Sequence, residues 1–193
     1  MKTSQPMNLL LQSFRVFAML TILTGVFYPL VVTGISWLCF RHQANGSLIV
    51  RDGKIVGSSL LAQKFEGDRY FWPRPSAADY ATVASGASNL GPASEKLQKQ
   101  IAERATALGD AHHVSADAPL PTDMLYASGS GLDPHISPEA AHLQVGRVAK
   151  ARRIEERRVA ELVEHSVEKP QLAILGEARV NVLTLNLALD SIK

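Results

Sequence analysis

Between Ala127 and Ala141 the chain sets Ser128, Gly129, Ser130, Gly131, Asp133 and His135 just ahead of Ser137-Pro138-Glu139. These residue types bring three chemistries to mind. A Gly-rich turn feeding a helix N-terminus can cradle an anion with backbone N–H groups. The lysine of a G-x-x-x-x-G-K-[ST] loop is missing, however, so the cation that grips terminal phosphates is not supplied. Serine, aspartate and histidine are the types of a hydrolytic triad, but no G-x-S-x-G elbow surrounds the serines, and residues this close on one loop seldom converge. His135, Glu139 and His142 do not have H-E-x-x-H spacing, so no metal centre is read here. The plainest reading is a rigid turn that caps a helix and presents backbone groups.

A second candidate is Tyr70-Phe71-Trp72-Pro73-Arg74-Pro75-Ser76, in which prolines on both sides of Arg74 fix an extended loop and hold out its guanidinium. Such a loop ordinarily packs its aromatics on the surface. The run Ser85-Gly86-Ala87-Ser88-Asn89-Leu90-Gly91-Pro92 is turn chemistry throughout. No catalytic residue is assigned. The candidate contacts to a partner or ligand are Arg74, Ser76, Ser85, Asn89, Ser128, Gly129, Ser130, Gly131, Asp133 and His135. His112 and His113, adjacent in what reads as a loop over Asp110–Pro121, point to a metal only weakly, because neighbouring side chains diverge.

The elements that must position these residues follow from spacing. Leu48–Arg51 and Lys54–Val56 around Asp52-Gly53 predict a tight β-hairpin. Ser94 caps a predicted helix with Leu97, Ile101, Ala105 and Leu108 on one face and Gly109 as its stop. Thr122–Ala127 reads as a strand. Ser137 as N-cap and Pro138 as first residue open a helix with Ala141, Val145, Val148 and Ile154 on its apolar face. Its charged block Arg152–Arg158 is expected in solvent, with Val159, Leu162 and Val163 resuming the face before Pro170. Val180–Leu189 alternates like a strand, and the slip at Leu183 suggests a bulge or burial on both faces.

The chain has 193 residues, 20 basic and 18 acidic. Through Phe40 the only charged side chains are Lys2 and Arg15, which leaves 18 bases against 18 acids beyond it. A neutral remainder argues against a nucleic-acid footprint. The single cysteine, Cys39, excludes an internal disulfide and any CxxC site. Val16–Phe40 is free of charge and, as a helix, reaches about 37 Å, enough to cross a hydrocarbon core of about 30 Å. A signal peptide core is shorter and ends in small residues, whereas this run ends in Trp37, Leu38 and Phe40. The predicted organisation is a cytoplasmic tail over 1–14, a transmembrane helix over 15–40 with a kink at Tyr28-Pro29, and one mixed α/β domain of a few strands and two or three helices over 41–193. Flanking charge does not settle orientation; a short acid-free tail inside and a domain outside is the expected arrangement.

Taken together, Tyr70–Ala77, Ser85–Pro92, Ala127–Ala141 and Arg179–Asp190 strongly resemble the C subunit of the Kdp potassium-transporting ATPase, in order, from about Phe14 to Asp190. Ala93-Ser94, Arg153 and Ala178 depart from it, standing where Asn-Pro, a helix-ending Gly and Pro are usual. The resemblance implies an accessory, non-catalytic subunit of a bacterial inner-membrane complex for high-affinity ATP-driven potassium uptake. Its partners would be a channel-like potassium-binding subunit, a P-type ATPase subunit and a very small membrane subunit. It also implies a catalytic chaperone that raises the pump's affinity for ATP, with the Ser-Gly block suggested to help coordinate nucleotide. If the domain lies outside the cytoplasm, that loop cannot meet cytoplasmic ATP, so any effect on ATP affinity is expected to pass through the partners.

Overall fold

The computed structural model describes residues 5–115 and 118–192. Lys2 of the predicted tail and Ala116-Asp117 of the predicted loop fall outside them. The chain divides into two compact units, Met1–Ser47 and Leu48–Lys193.

The first unit is helical: α1 (Gln5–Ile22), a π-helical turn (Leu23–Phe27), α2 (Tyr28–Cys39) and the short α3 (Arg41–Ala44). Met7–Cys39 is a 33-residue helix whose most apolar 18-residue window has a mean hydropathy of 2.0, long and apolar enough to cross a membrane. The π turn stands immediately before Pro29. Proline has no N–H to give, and its ring crowds the carbonyl four residues back; a wider turn relieves that crowding without ending the helix. The predicted irregularity at Tyr28-Pro29 therefore takes the form of a π turn.

The second unit mixes helices with two small sheets. In the hairpin, β1 (Leu48–Arg51) pairs antiparallel with β2 (Lys54–Ser58), and Asp52 (φ 51°) and Gly53 (φ 73°) both take the left-handed values that a two-residue turn requires. A long irregular stretch, 59–94, leads to α4 (Glu95–His112). Then come α5 (Thr122–Leu125), β3 (His135–Ile136), α6 (Pro138–Arg152), α7 (Glu156–Ser166), β4 (Val167–Glu168), β5 (Arg179–Asn181) and α8 (Val182–Leu189). The second sheet is antiparallel in the order β3-β5-β4. Phe71, Ile136, Val148, Val163, Val180 and Leu185 lie at the centre of the core, where α6, α7 and α8 close over β5.

Several expectations need correction. Thr122–Leu125 is a turn of helix, not a strand: Met124 is buried while Thr122 is exposed, a helical rather than alternating burial. Val180–Leu189 is a strand only to Asn181; from Val182 it is helix, begun by the Asn181 side chain accepting from the Thr184 N–H at 3.2 Å. Its apolar residues are buried nearly all round, so period-2 and period-3.6 readings were degenerate. The helix from Ser94 does not stop at Gly109. It runs to His112 and ends on His113 in the left-handed conformation, which takes part of the predicted loop into the helix.

The helix opened at Ser137 begins as predicted, with Ser137 Oγ accepting from the Ala140 N–H at 3.0 Å. It does not continue to Pro170. Arg153 turns left-handed (φ 58°) and breaks it into α6 and α7, which pack against each other. Nor is Arg152 solvated: its side chain is 7% exposed, bonded to the Arg69 carbonyl and to Asp190. With α4, α6, α7 and α8, the described domain holds four helices of eight residues or more, one beyond expectation.

Candidate functional site

The segment around Phe71 has no strand neighbour among the described residues, and side chains satisfy its backbone. Asn186 on α8 accepts from the Phe71 N–H at Oδ1 (2.8 Å) and donates from Nδ2 to the Phe71 carbonyl (3.0 Å). Gln144 on α6 does the same for Trp72, with Oε1 at 2.6 Å from the N–H and Nε2 at 3.2 Å from the carbonyl. Both amides are buried, as is Phe71. The loop expected to pack its aromatics on the surface therefore runs through the core.

Beside it, Arg147 lies over the Trp72 ring, its guanidinium carbon 3.9 Å from the centroid. That guanidinium donates to Gln144 Oε1, to the Gly67 and Tyr70 carbonyls, and through Nε to His112 Nε2 at 3.2 Å. Burial pulls the Arg147 pKa down to about 10, against the pull of Asp68 at 4.0 Å. His112, which reads from sequence as part of a loop, is half-buried edge-on to Trp72. Burial lowers its pKa, the Leu108 carbonyl opposing and the nearby Arg147 charge adding to the shift. Sequence reasoning missed this cluster because its members are far apart in the chain.

Anchored this way, the loop delivers Arg74 to a cleft of about 620 Å³. The Tyr80 hydroxyl donates to the Arg74 carbonyl (2.9 Å), and Arg74 Nη1 reaches Asp133 Oδ2 at 2.8 Å. Among the described residues, Arg74 Nε is buried without a hydrogen-bond partner. Asp133 Oδ1 accepts from the His135 N–H at 3.0 Å and lies 3.5 Å from His135 Nδ1. Burial works against a charge on Asp133, but the His135 contacts and Arg74 outweigh it and hold its pKa at about 2. Across the sheet His135 Nε2 is 3.9 Å from Glu168 Oε2, to which Arg179 Nε donates at 3.0 Å. This run of contacts, from Arg74 through Asp133, His135 and Glu168 to Arg179, ties the loop to all three strands.

Asp123, Glu139 and Glu177 also line the cleft. Asp123 accepts from the Ser137 N–H and Oγ (2.7 and 3.0 Å), so α5 and the start of α6 are bound together. Sequence reasoning weighed Glu139 only as a metal ligand and missed Asp123, Glu177 and the Glu168–Arg179 pair; Arg179 opened a block already singled out, but its partner depends on strand register.

Of the ten sequence-derived candidates, Arg74, Asp133 and His135 converge on the cleft and the rest do not. Ser76 Oγ accepts from the Ala78 and Tyr80 N–H groups, closing its own loop. Ser85 and Asn89 are exposed elsewhere. Ser128 is buried and donates its N–H to the Pro75 carbonyl, and Ser130 Oγ accepts from the Leu132 N–H. Gly129 is exposed, while Gly131 (φ 70°) is buried where a Cβ would come 3.1 Å from the Gly86 carbonyl oxygen and 3.3 Å from Ser76 Oγ. That side of the Ser-Gly turn is filled by the chain's own loops.

The family model described as "K+-transporting ATPase, c chain" matches residues 10–191. A Rhodospirillum rubrum protein named potassium-transporting ATPase KdpC subunit is 54% identical over 176 residues, covering 90% of this chain and 91% of that protein. Proteins of the same name from Polaromonas naphthalenivorans (51% identical, 96% of each chain) and Leptospira interrogans (48% identical, 96% of this chain and 95% of that protein) are similar to it as well. The match takes in both the apolar helix and the cleft-bearing domain, and the chain belongs to the family of C subunits of the potassium-transporting ATPase.

Proposed function

We propose that the chain is a non-catalytic accessory subunit of a high-affinity, ATP-driven potassium uptake complex in the inner membrane. In this reading Met7–Cys39 anchors it, and the mixed domain stands outside the cytoplasm over the ion entrance of the channel-like subunit. The pump subunit and a very small membrane subunit complete the complex. The observation that carries the proposal is the family match across anchor and domain together. The cleft supports it: Arg74 and Arg179 in its wall are held in place by Asp133 and Glu168, which suits a preorganised charge-complementary contact with another polypeptide.

Direct coordination of ATP is the weaker alternative for the Ser-Gly block. Gly131 has no free space on its Cβ side, and Ser128 is buried. An effect on ATP affinity then acts through the partners, as a coupling between sites.

The test has two parts. A reporter fused after Lys193 is to be active only outside the cytoplasm. Alanine changes at Arg74 and at Ser130 are to weaken co-purification with the partners or shift the potassium dependence of transport. A reporter active only in the cytosol reverses the topology; variants with unaltered assembly, potassium affinity and transport remove the Arg74 loop and the Ser-Gly turn from the mechanism.

A further inference from the structure

Ten large apolar side chains are exposed among the described residues of 48–192, and five of them, Leu48, Val50, Ile55, Leu60 and Leu61, fall between positions 48 and 61. Val50 and Ile55 are cross-strand partners, 60% and 64% exposed. The hairpin is nevertheless not loose. Gln63 Nε2 donates to the Val56 carbonyl at 3.0 Å, and Gly57 sits so close to the Gln63 and Leu183 side chains that a Cβ would run into them. Leu48, Ile55 and Leu61 line one groove of about 480 Å³. A firmly seated ribbon thus shows water a row of apolar side chains that its own domain leaves uncovered.

Chain length and charge indicate what covers it. Only Phe40–Ser47 separates Cys39, the last residue of the apolar stretch, from Leu48. Even fully extended, that connection reaches about 30 Å at most, and α3 coils half of it. Between Phe40 and Phe65 the bases are Arg41, Arg51, Lys54 and Lys64, and Asp52 is the sole acid. Lys64 is engaged by Asp79 and Glu66, and Arg51 makes a long 3.8 Å pair with Asp190. Lys54 is exposed at the turn, and Arg41 lies over Trp37, 4.9 Å from its ring centroid, a pairing suited to headgroup depth. Apolar side chains beside cations, tethered near a membrane span, are the chemistry of an interfacial contact with anionic lipid.

We infer that the Leu48–Ser58 hairpin rests its Leu48, Val50 and Ile55 side chains on an anionic membrane surface, with Arg51 and Lys54 among the headgroups. The contact rests on Met7–Cys39 being a membrane anchor but not on which side the domain occupies.

The full chain carrying Cys39→Ser is spin-labelled at Ile55→Cys or, as a water-exposed control, at Val83→Cys, and reconstituted in phosphatidylglycerol–phosphatidylethanolamine vesicles. The Ile55 label is expected to favour oxygen over a water-soluble nickel chelate about threefold more than the Val83 label. Arg51→Glu with Lys54→Glu is expected to abolish the difference. Equal nickel access at the two sites overturns the inference while leaving the anchor intact. Shielding of Ile55 that appears only after the other subunits are added also overturns it and assigns the face to a protein. Extraction of the chain from the vesicles by carbonate overturns the anchor reading, and the inference with it.

Discussion

Asn186 holds both main-chain polar groups of Phe71, a residue 115 positions away, with bonds of 2.8 and 3.0 Å. It does for this segment what a neighbouring strand would otherwise do. Because Arg74 follows three residues later, the amide of α8 indirectly sets where the cleft's first cation stands. Asn186→Leu keeps the volume but strands a buried N–H and carbonyl, which is expected to cost about 2–4 kcal/mol. Chemical unfolding of the full chain in micelles measures it; a loss below about 1 kcal/mol would show that the Phe71 backbone finds other partners.

Acid stability should depend on Asp133. Its folded pKa is about 2, below the ordinary 3.8, so the charged form is favoured by folding. The resulting stabilisation is present above the unfolded pKa and is lost as pH falls through roughly 4 toward 2, where both states become protonated. Wild type should lose about 2 kcal/mol over that range in excess of Asp133→Asn. Parallel pH-stability curves for the two proteins would rule Asp133 out as the source.

A second titration is expected nearer neutrality. His112 Nδ1 meets the Leu108 carbonyl (2.9 Å) and Nε2 faces the Arg147 Nε–H (3.2 Å), a pair of contacts satisfied by a neutral ring protonated on Nδ1. Its folded pKa lies below 6.5. Stability is therefore highest above the unfolded value and declines as pH falls through the folded one. His112→Gln, which retains a donor and an acceptor, should flatten the decline that begins as pH falls through 6.5. Trp72 emission should report the same step, because the indole ring lies against both His112 and Arg147.

At the α6–α7 corner, Arg153 adopts φ 58° with its side chain exposed. Arg153→Gly removes the Cβ clash of the left-handed conformation and is expected to stabilise the domain by about 1 kcal/mol. A thermal scan showing no gain, or a loss, would mean that the guanidinium contributes more than the strain costs.

Some of this protein was settled within a few residues of chain. The Asp52-Gly53 turn, the Ser137-Pro138 helix start and the long apolar helix each follow from local chemistry: positive φ at a two-residue turn, a hydroxyl placed to cap, and many side chains soluble only in hydrocarbon. The aromatic-proline segment, the turn ahead of α6 and the C-terminal block were equally visible as words, and they carried the family resemblance. Their conformations were not visible. Val182–Leu189 is apolar on every side, so nothing in its pattern separated helix from buried strand until Asn181 and the packing of α7 chose helix. Phe71 looked like a surface aromatic because the amides that complete its backbone, and the Arg147 that braces its neighbour, lie on remote helices. The cleft likewise brought Arg74, Asp133 and His135 together but left Ser85, Asn89 and the Ser-Gly turn outside it. Short-range preferences act through bonds and sterics that a sequence displays directly; side-chain partners across the fold depend on register and crossing of elements, which only the folded chain establishes.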